Sequence, residues 1–344
     1  MIPLIQYIYI LRRLDIRTYQ MTQIAYPTFT IPTSKCCSLI LTFDDIAEIL
    51  GDRRHIVQVG MGEIERTMHL IQMDLDWLFS PKGWPVYVSG FNPAIHDSKQ
   101  VFQYELASKK IHFSSGTART CMTHKAMLDM LVRVAKPAVE LVALPCEEED
   151  VDSHEPQDLG KTKVKRKTAR RNQCFADALE VTKTADFKFV LPVIGSQQPI
   201  DIPSGLSNIA GWTAGARAFP TDATTGIRFA QIRHSDAAST LEAILAALDG
   251  GADVLETDFP FDLAKQGFLL NEKFELVDMK NPVMFNTNDP LLVFDAAPSL
   301  VLSAASHMRS YVHHLFRCEE LAGPILLATV NLFQFDRLVS SYRM

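Results

Sequence analysis

One stretch, IRFAQIRHSDAASTLEAILAALDGGADVLET (227–257), narrows the possible folds more than any other. Its ends, IRFAQI and ADVLET, are short runs of the residues that favour strands. Between them Leu241, Ile244, Leu245 and Leu248 recur at helical spacing and form one apolar stripe. Ser235 is placed to cap that helix, and Gly250 with Gly251 stops it. Strand, helix and strand in so few residues make a βαβ unit, which requires a parallel strand pair.

Similar runs recur along the chain. The candidate strands are 27–32, 55–59, 86–90, 139–145, 189–195, 210–216, 227–232 and 252–257. Several are apolar on both faces, as parallel strands buried under helices are. Eight such strands predict an α/β fold of the closed (β/α)8 TIM-barrel type, and 344 residues suit a barrel with an insertion. An open doubly wound sheet is the alternative. No GxGxxG follows a strand, so nothing points to a dinucleotide fold. One connection is anomalous: only RAFPTDATTG (217–226) separates two candidate strands, and parallel crossovers generally need about a dozen residues or more. Either a barrel helix is missing there or the strands are misplaced by one.

Charge and cysteine content exclude some classes. A formal net charge of −6 argues against a generally basic nucleic-acid coat. Locally, 147–155 is strongly acidic and 161–171 strongly basic. The pair reads either as a solvated loop and helix start or as a phosphate-binding patch on the barrel rim, carried by Lys163, Lys165, Arg166, Lys167, Arg170 and Arg171. Six cysteines without a CxxC pattern suggest a reduced, intracellular chain. The start, MIPLIQYIYILRRLDIR, places its arginines after the apolar run, the reverse of a signal peptide, and the run is too short for a membrane span. Residues 1–24 are read as an N-terminal extension.

SHMRSYVHHLFRCEELAG (306–323) gathers three histidines, a cysteine and two glutamates. His307, Tyr311, His314 and Cys318 fall on one helical face, and His314 and Cys318 are one turn apart, an offset at which two side chains can share a metal. Zinc needs four donors. The competing reading is a helix packed through Tyr311, Leu315 and Leu321, its histidines bonded to carbonyls or carboxylates.

Three segments together carry a resemblance. GGADVLETDFPFDLAKQGFLL (250–270), HMRSYVHHLFRCEELAGPILLATVN (307–331) and KVKRKTARRNQCFADALE (163–180) resemble segments of the tRNA-guanine transglycosylases, over roughly residues 25 to 344. The LETDFPF run is most similar to the accessory, non-catalytic branch of the queuine tRNA-ribosyltransferases. The resemblance implies a TIM-barrel body over 25–298 and, over 299–344, a helical subdomain in place of the family's zinc-binding one, followed by the last barrel helix.

In catalytic members an aspartate attacks the ribose of the wobble guanosine and queuine replaces guanine. Glu256 occupies that nucleophile position. The longer side chain displaces the attacking oxygen from a near-attack geometry. The family's DSGGFQ segment is matched by QVFQYELASKKIHFSS, a substrate-reading aspartate by Pro145 or Cys146, the base-reading Gln-Gly-Gly by Ile194, Gly195 and Ser196, and a basic loop residue by Asp262. The zinc ligand positions fall on Ser299, Val301, Ala304 and Val330, so no zinc or other cofactor is expected, and Val301, Leu302 and Val330 are expected to fill the space with hydrocarbon.

The implied function is that of a non-catalytic subunit, with no catalytic residue expected. It would form a heterodimer with a catalytic queuine tRNA-ribosyltransferase subunit, or a homodimer where that partner is missing. It would serve exchange of guanine for queuine in tRNAs with GUN anticodons. The expected interface is the 299–340 region, through Leu300, Leu302, Leu326, Leu327, Leu332 and Phe333. The implied location is cytoplasmic or peripheral on the mitochondrial outer membrane, without an integral membrane segment. Two alternatives remain open: an active transglycosylase using Glu256 as nucleophile, and an unrelated TIM-barrel metabolic enzyme, although no glycine-rich phosphate loop follows the late strands.

Overall fold

The computed structural model describes residues 24, 26–34, 37–51, 53–61, 64, 84–89, 102–105, 110–115, 118–134, 139–143, eight helical positions between 162 and 180, 188–192, 209–215, 226–232 and 236–342. Eight strands within these ranges form one closed parallel barrel. They are β1 (Thr28–Ser34), β3 (Ile56–Gly60), β4 (Val86–Ser89), β8 (Val139–Ala143), β9 (Lys188–Pro192), β10 (Ile209–Gly215), β11 (Ile227–Gln231) and β12 (Val254–Glu256). Each pairs in parallel with the next, and β12 closes on β1 through Thr28 opposite Val254 and Phe29 opposite Leu255. The two-residue β2 (Cys37–Ser38) folds back on β1. All eight strands coincide with the apolar runs of the sequence, so the barrel, not the open sheet, is the fold. The short connection did not misplace a strand: β10 and β11 are parallel neighbours in register from Gly211 opposite Ile227 to Gly215 opposite Gln231. Residues 216–225 of the connection lie outside the described residues.

Period-two alternation sorts each strand's side chains. Ile56, Tyr87, Leu141, Val190, Phe229 and Val254 form an inner apolar cluster. Val57, Val86, Val88, Val142, Phe189, Ala230 and Leu255 belong to the larger core that the helices cover. Gly211 marks a close approach: a Cβ there would lie 1.9 Å from the Ile227 carbonyl oxygen. Only glycine lets β10 and β11 meet at this point.

The helices follow from local signals. Thr42 and Asp45 form a reciprocal capping box on α1 (Phe43–Leu50). The helix of the βαβ unit, α3 (Ala237–Asp249), is capped by Asp236 rather than Ser235, with its carboxylate accepting from Ser239 N. The sequence did not foresee β5 (Phe102–Glu105), β6 (Lys110–Ser115) and β7 (Ala118–Thr123), a three-stranded antiparallel sheet between β4 and α2 (His124–Val134). KIHFSS and ARTCMT lack the continuous apolar character used to find barrel strands.

After β12 come α4 (Phe259–Gln266), the hairpin β13 (Phe268–Leu270) and β14 (Leu276–Asp278), and a 3-10 turn at Pro282–Asn286. They are followed by α5 (Ser299–Ala305), α6 (Arg309–Arg317) and α7 (Ala322–Ser341). The long α7 packs on α4, β13, α1 and β1. Phe335 stacks edge-on against Phe29 at 4.9 Å, which locks this helix to the barrel wall. Asn331 pins the hairpin, accepting from Leu270 N and donating to the Phe268 carbonyl, both at 2.8 Å. Among the described residues no helix is long and apolar enough to cross a membrane.

Candidate functional site

Toward the carboxyl ends of the strands the inward positions change from apolar to polar. Gln58 on β3, Ser89 on β4, Thr213 on β10, Gln231 on β11 and Glu256 on β12 interrupt otherwise apolar strands. That end is where TIM barrels build their sites. Glu256 is wholly buried, and its carboxylate is the hub. Oε1 accepts from the Thr213 hydroxyl at 2.9 Å and the Tyr87 hydroxyl at 3.1 Å. Oε2 accepts from Gln58 Nε2 at 3.0 Å and Ser89 Oγ at 3.2 Å. Gln58 is itself oriented by Thr30, whose hydroxyl donates to its Oε1 at 2.6 Å.

A carboxylate offers about four acceptor sites, and four donors fill them. Burial raises the Glu256 carboxyl from its ordinary value to about 7, opposed chiefly by the hydrogen bonds from Thr213, Tyr87 and Ser89. Burial likewise pushes the Tyr87 phenol well above its usual range, and the neighbouring Glu256 charge adds to this. Chemically the arrangement holds a carboxyl group fixed and saturated. An attacking carboxylate oxygen needs a free lone pair and a path to a substrate carbon.

The sequence identified Glu256 but none of the groups that hold it. Their signal was a polar residue at an inward position near the end of an apolar strand. Asp253, three residues before the hub, does not reach it. Its carboxylate accepts from Arg228 N at 2.9 Å and pairs with Arg228 Nε at 3.1 Å, tying the start of β11 to β12. Beyond Glu256, Thr257 and Asp258 are buried, and α4 starts at Phe259 with Pro260 in its first turn. Asp262, matched by the resemblance to a basic loop residue, is buried in that turn and accepts from Gln266 Nε2 at 2.6 Å.

The positions matched to zinc ligands lie on α5 and α7. Val301, Ala304 and Val330 are buried in the apolar core, and the Ser299 hydroxyl donates to Glu48 of α1 at 2.8 Å. Glu48 also accepts from Leu300 N at 3.1 Å, so α1 caps α5. Three hydrocarbon side chains and one hydroxyl provide none of the nitrogen or sulfur donors zinc takes, and the four do not fit it. Val301 and Val330 do fill the core; Leu302 does not, being 42% exposed.

The expected interface needs a similar correction. Leu327 and Leu332 are buried in the core, while Leu300, Leu326 and Phe333 are partly buried against it. Exposed apolar side chains occur instead at Leu302, Met308, Tyr311 and Leu321, and just upstream at Val283, Phe285 and Val293. The helix-packing reading of 306–323 holds for Leu315, which is buried, and fails for Tyr311 (45% exposed) and Leu321 (69%). His307 Nδ1 donates to the Ser303 carbonyl and His313 Nδ1 to the Met279 carbonyl, each at 2.9 Å.

Of the basic cluster, Lys165 is helical and exposed; Lys163, Arg166, Lys167, Arg170 and Arg171 lie outside the described residues. Glu180, on the same run of helical positions, accepts from Lys125 of α2 at 2.8 Å. Pro145, Cys146, Ile194, Gly195 and Ser196 also lie outside the described residues, as does the side chain of Trp212.

Residues 221–344 match the family model described as Queuine tRNA-ribosyltransferase. A queuine tRNA-ribosyltransferase-like protein of Plasmodium falciparum is 31% identical over 116 residues, 26% of this chain and 48% of that protein. Queuine tRNA-ribosyltransferase accessory subunit 2 of Drosophila melanogaster is 28% identical over 96 residues, 27% of this chain and 23% of that protein. A queuine tRNA-ribosyltransferase of Gluconacetobacter diazotrophicus is 30% identical over 105 residues, 30% of this chain and 26% of that protein. The chain thus spans about half or less of the length of these relatives. Its resemblance to the tRNA-guanine transglycosylases stands on residues 221–344, and the closed parallel barrel agrees with it.

Proposed function

We propose that this chain is a non-catalytic subunit of a queuine tRNA-ribosyltransferase. It pairs with a catalytic subunit and supports exchange of guanine for queuine at the wobble position of tRNAs with GUN anticodons. The observation that carries the reading is the Glu256 carboxylate, buried and with its acceptor sites filled by Gln58, Tyr87, Ser89 and Thr213. A nucleophile so engaged would have to break at least one of these hydrogen bonds before attack. The accessory subunit of Drosophila among the similar proteins supports the same branch.

The partner surface in this reading is built from Val283, Phe285, Val293, Leu302, Met308 and Tyr311, exposed on neighbouring elements. The 3-10 turn packs on α6, and Pro290 bridges to Met308. The basic cluster Lys163, Lys165, Arg166, Lys167, Arg170 and Arg171 is assigned to the tRNA backbone.

The test is base exchange into tRNA by the purified chain, alone and mixed with the catalytic subunit. The expected result is no exchange alone and a 1:1 complex that exchanges. Exchange by the chain alone, abolished by Glu256→Gln, would establish the active-transglycosylase reading instead.

A further inference from the structure

Thr30 and Gln58 form a buried relay that ends on Glu256. Thr30 Oγ1 lies 2.6 Å from Gln58 Oε1 and 3.3 Å from the Leu255 carbonyl oxygen, and Gln58 Nε2 lies 3.0 Å from Glu256 Oε2. The relay joins β1 to β3 on one side and to β12 on the other, across the pairing that closes the barrel. Thr30, Gln58 and Glu256 are each at most 1% exposed, so a donor or acceptor left unmatched among them is costly.

The observed lengths are those of an ionised hub. A hydroxyl donor prefers about 2.7–2.8 Å and an amide donor about 2.9–3.0 Å, which fits Thr30 giving to Gln58 and Gln58 giving to a carboxylate. A second arrangement satisfies the same groups once the carboxyl holds a proton. A glutamine amide has nearly the same shape either way round, and its neighbours decide which end faces which. Turned over, Gln58 Nε2 donates to Thr30 Oγ1, and Thr30 gives its hydrogen to the Leu255 carbonyl oxygen instead. Glu256 Oε2–H then donates to Gln58 Oε1, and each contact relaxes by a few tenths of an ångström to its ordinary length. The Tyr87 and Thr213 hydroxyls keep donating to Oε1, which becomes the carbonyl oxygen of the neutral acid.

We infer that Gln58 is the moving part of a proton-linked switch at the carboxyl end of the barrel, its amide turning over as Glu256 gains or loses a proton. The proton comes from solvent and returns to it; one O–H bond forms or breaks, and nothing is oxidised or reduced. Of the groups that meet the carboxyl from β3, β4, β10 and β11, Gln58, Ser89, Thr213 and Gln231 carry no charge, and burial keeps the Tyr87 phenol protonated. Asp258 and Asp262 are the buried carboxyls that follow on the same segment. With the Glu256 carboxyl raised to about 7, the switch turns near neutral pH. One state places a negative charge at the barrel end and the other places none, with no strand displaced. The inference does not depend on the accessory-subunit reading.

Side-chain amide NMR of the full chain from about pH 5 to about pH 9, with the Gln58 signals assigned by through-bond correlation to its backbone, tests it. The Gln58 NH2 signals should shift with a midpoint near 7, and their Overhauser contact to the Thr30 methyl should be stronger at the acid end. Glu256→Gln should abolish the titration. A shift with an unchanged Thr30 contact would put the proton on Oε1, shared with Thr213 or Tyr87, and overturn the inference. Signals that do not titrate, or a titration that survives Glu256→Gln, would overturn it as well.

Discussion

Replacing Glu256 with glutamine should remove a pH dependence that the parent chain carries. Burial lifts this carboxyl from an ordinary 4.5 to about 7. The folded state therefore holds a proton that the unfolded state has lost between those values, and stability must fall as pH rises through that window. At about 1.4 kcal/mol per pH unit, the full effect is about 3 kcal/mol, present below pH 4.5 and lost above pH 7. Between pH 5 and pH 8 the parent should lose roughly 2 to 3 kcal/mol from this group. Glutamine is neutral at every pH. The Tyr87 and Thr213 hydroxyls can turn to accept from its NH2, so the hub stays bonded. Urea unfolding at several pH values, parent against Glu256→Gln, isolates the effect because all other titrating groups cancel. Parallel profiles for the two proteins, or a parent that gains on the variant as pH rises, would refute the buried-carboxyl account.

Leu327→Ala should destabilise by about 2–5 kcal/mol, the cost of a cavity in a closed core, whereas Leu302→Ala should cost under about 1 kcal/mol. Denaturation midpoints of the two variants check this, and a reversed ranking would refute the burial of Leu327 and the exposure of Leu302. Gly211→Ala should cost about 1–3 kcal/mol or more, because the new Cβ would overlap the Ile227 carbonyl oxygen and force β10 from β11. Parent-like stability in that variant would show that the strands are not so close.

The chain by itself determined where the barrel strands lie and how they alternate. Those signals are local: a run of β-branched residues, a stripe at helical spacing, a glycine after the last turn. They were enough to predict the closed barrel, whereas Glu256 was singled out by the family resemblance of the LETDFPF run. The insertion β5 to β7 escaped because its residues alternate with polar ones and carry no run that marks a buried strand. Closure of the barrel decided what the sequence left open. Gln58 and Glu256 are 198 positions apart and share a hydrogen bond, a relation no neighbour pattern encodes. Which leucines of the last helices face the core likewise depends on the surface each helix meets. A helix repeats its side chains along the sequence, but only its packing partner chooses which of them are hidden from water.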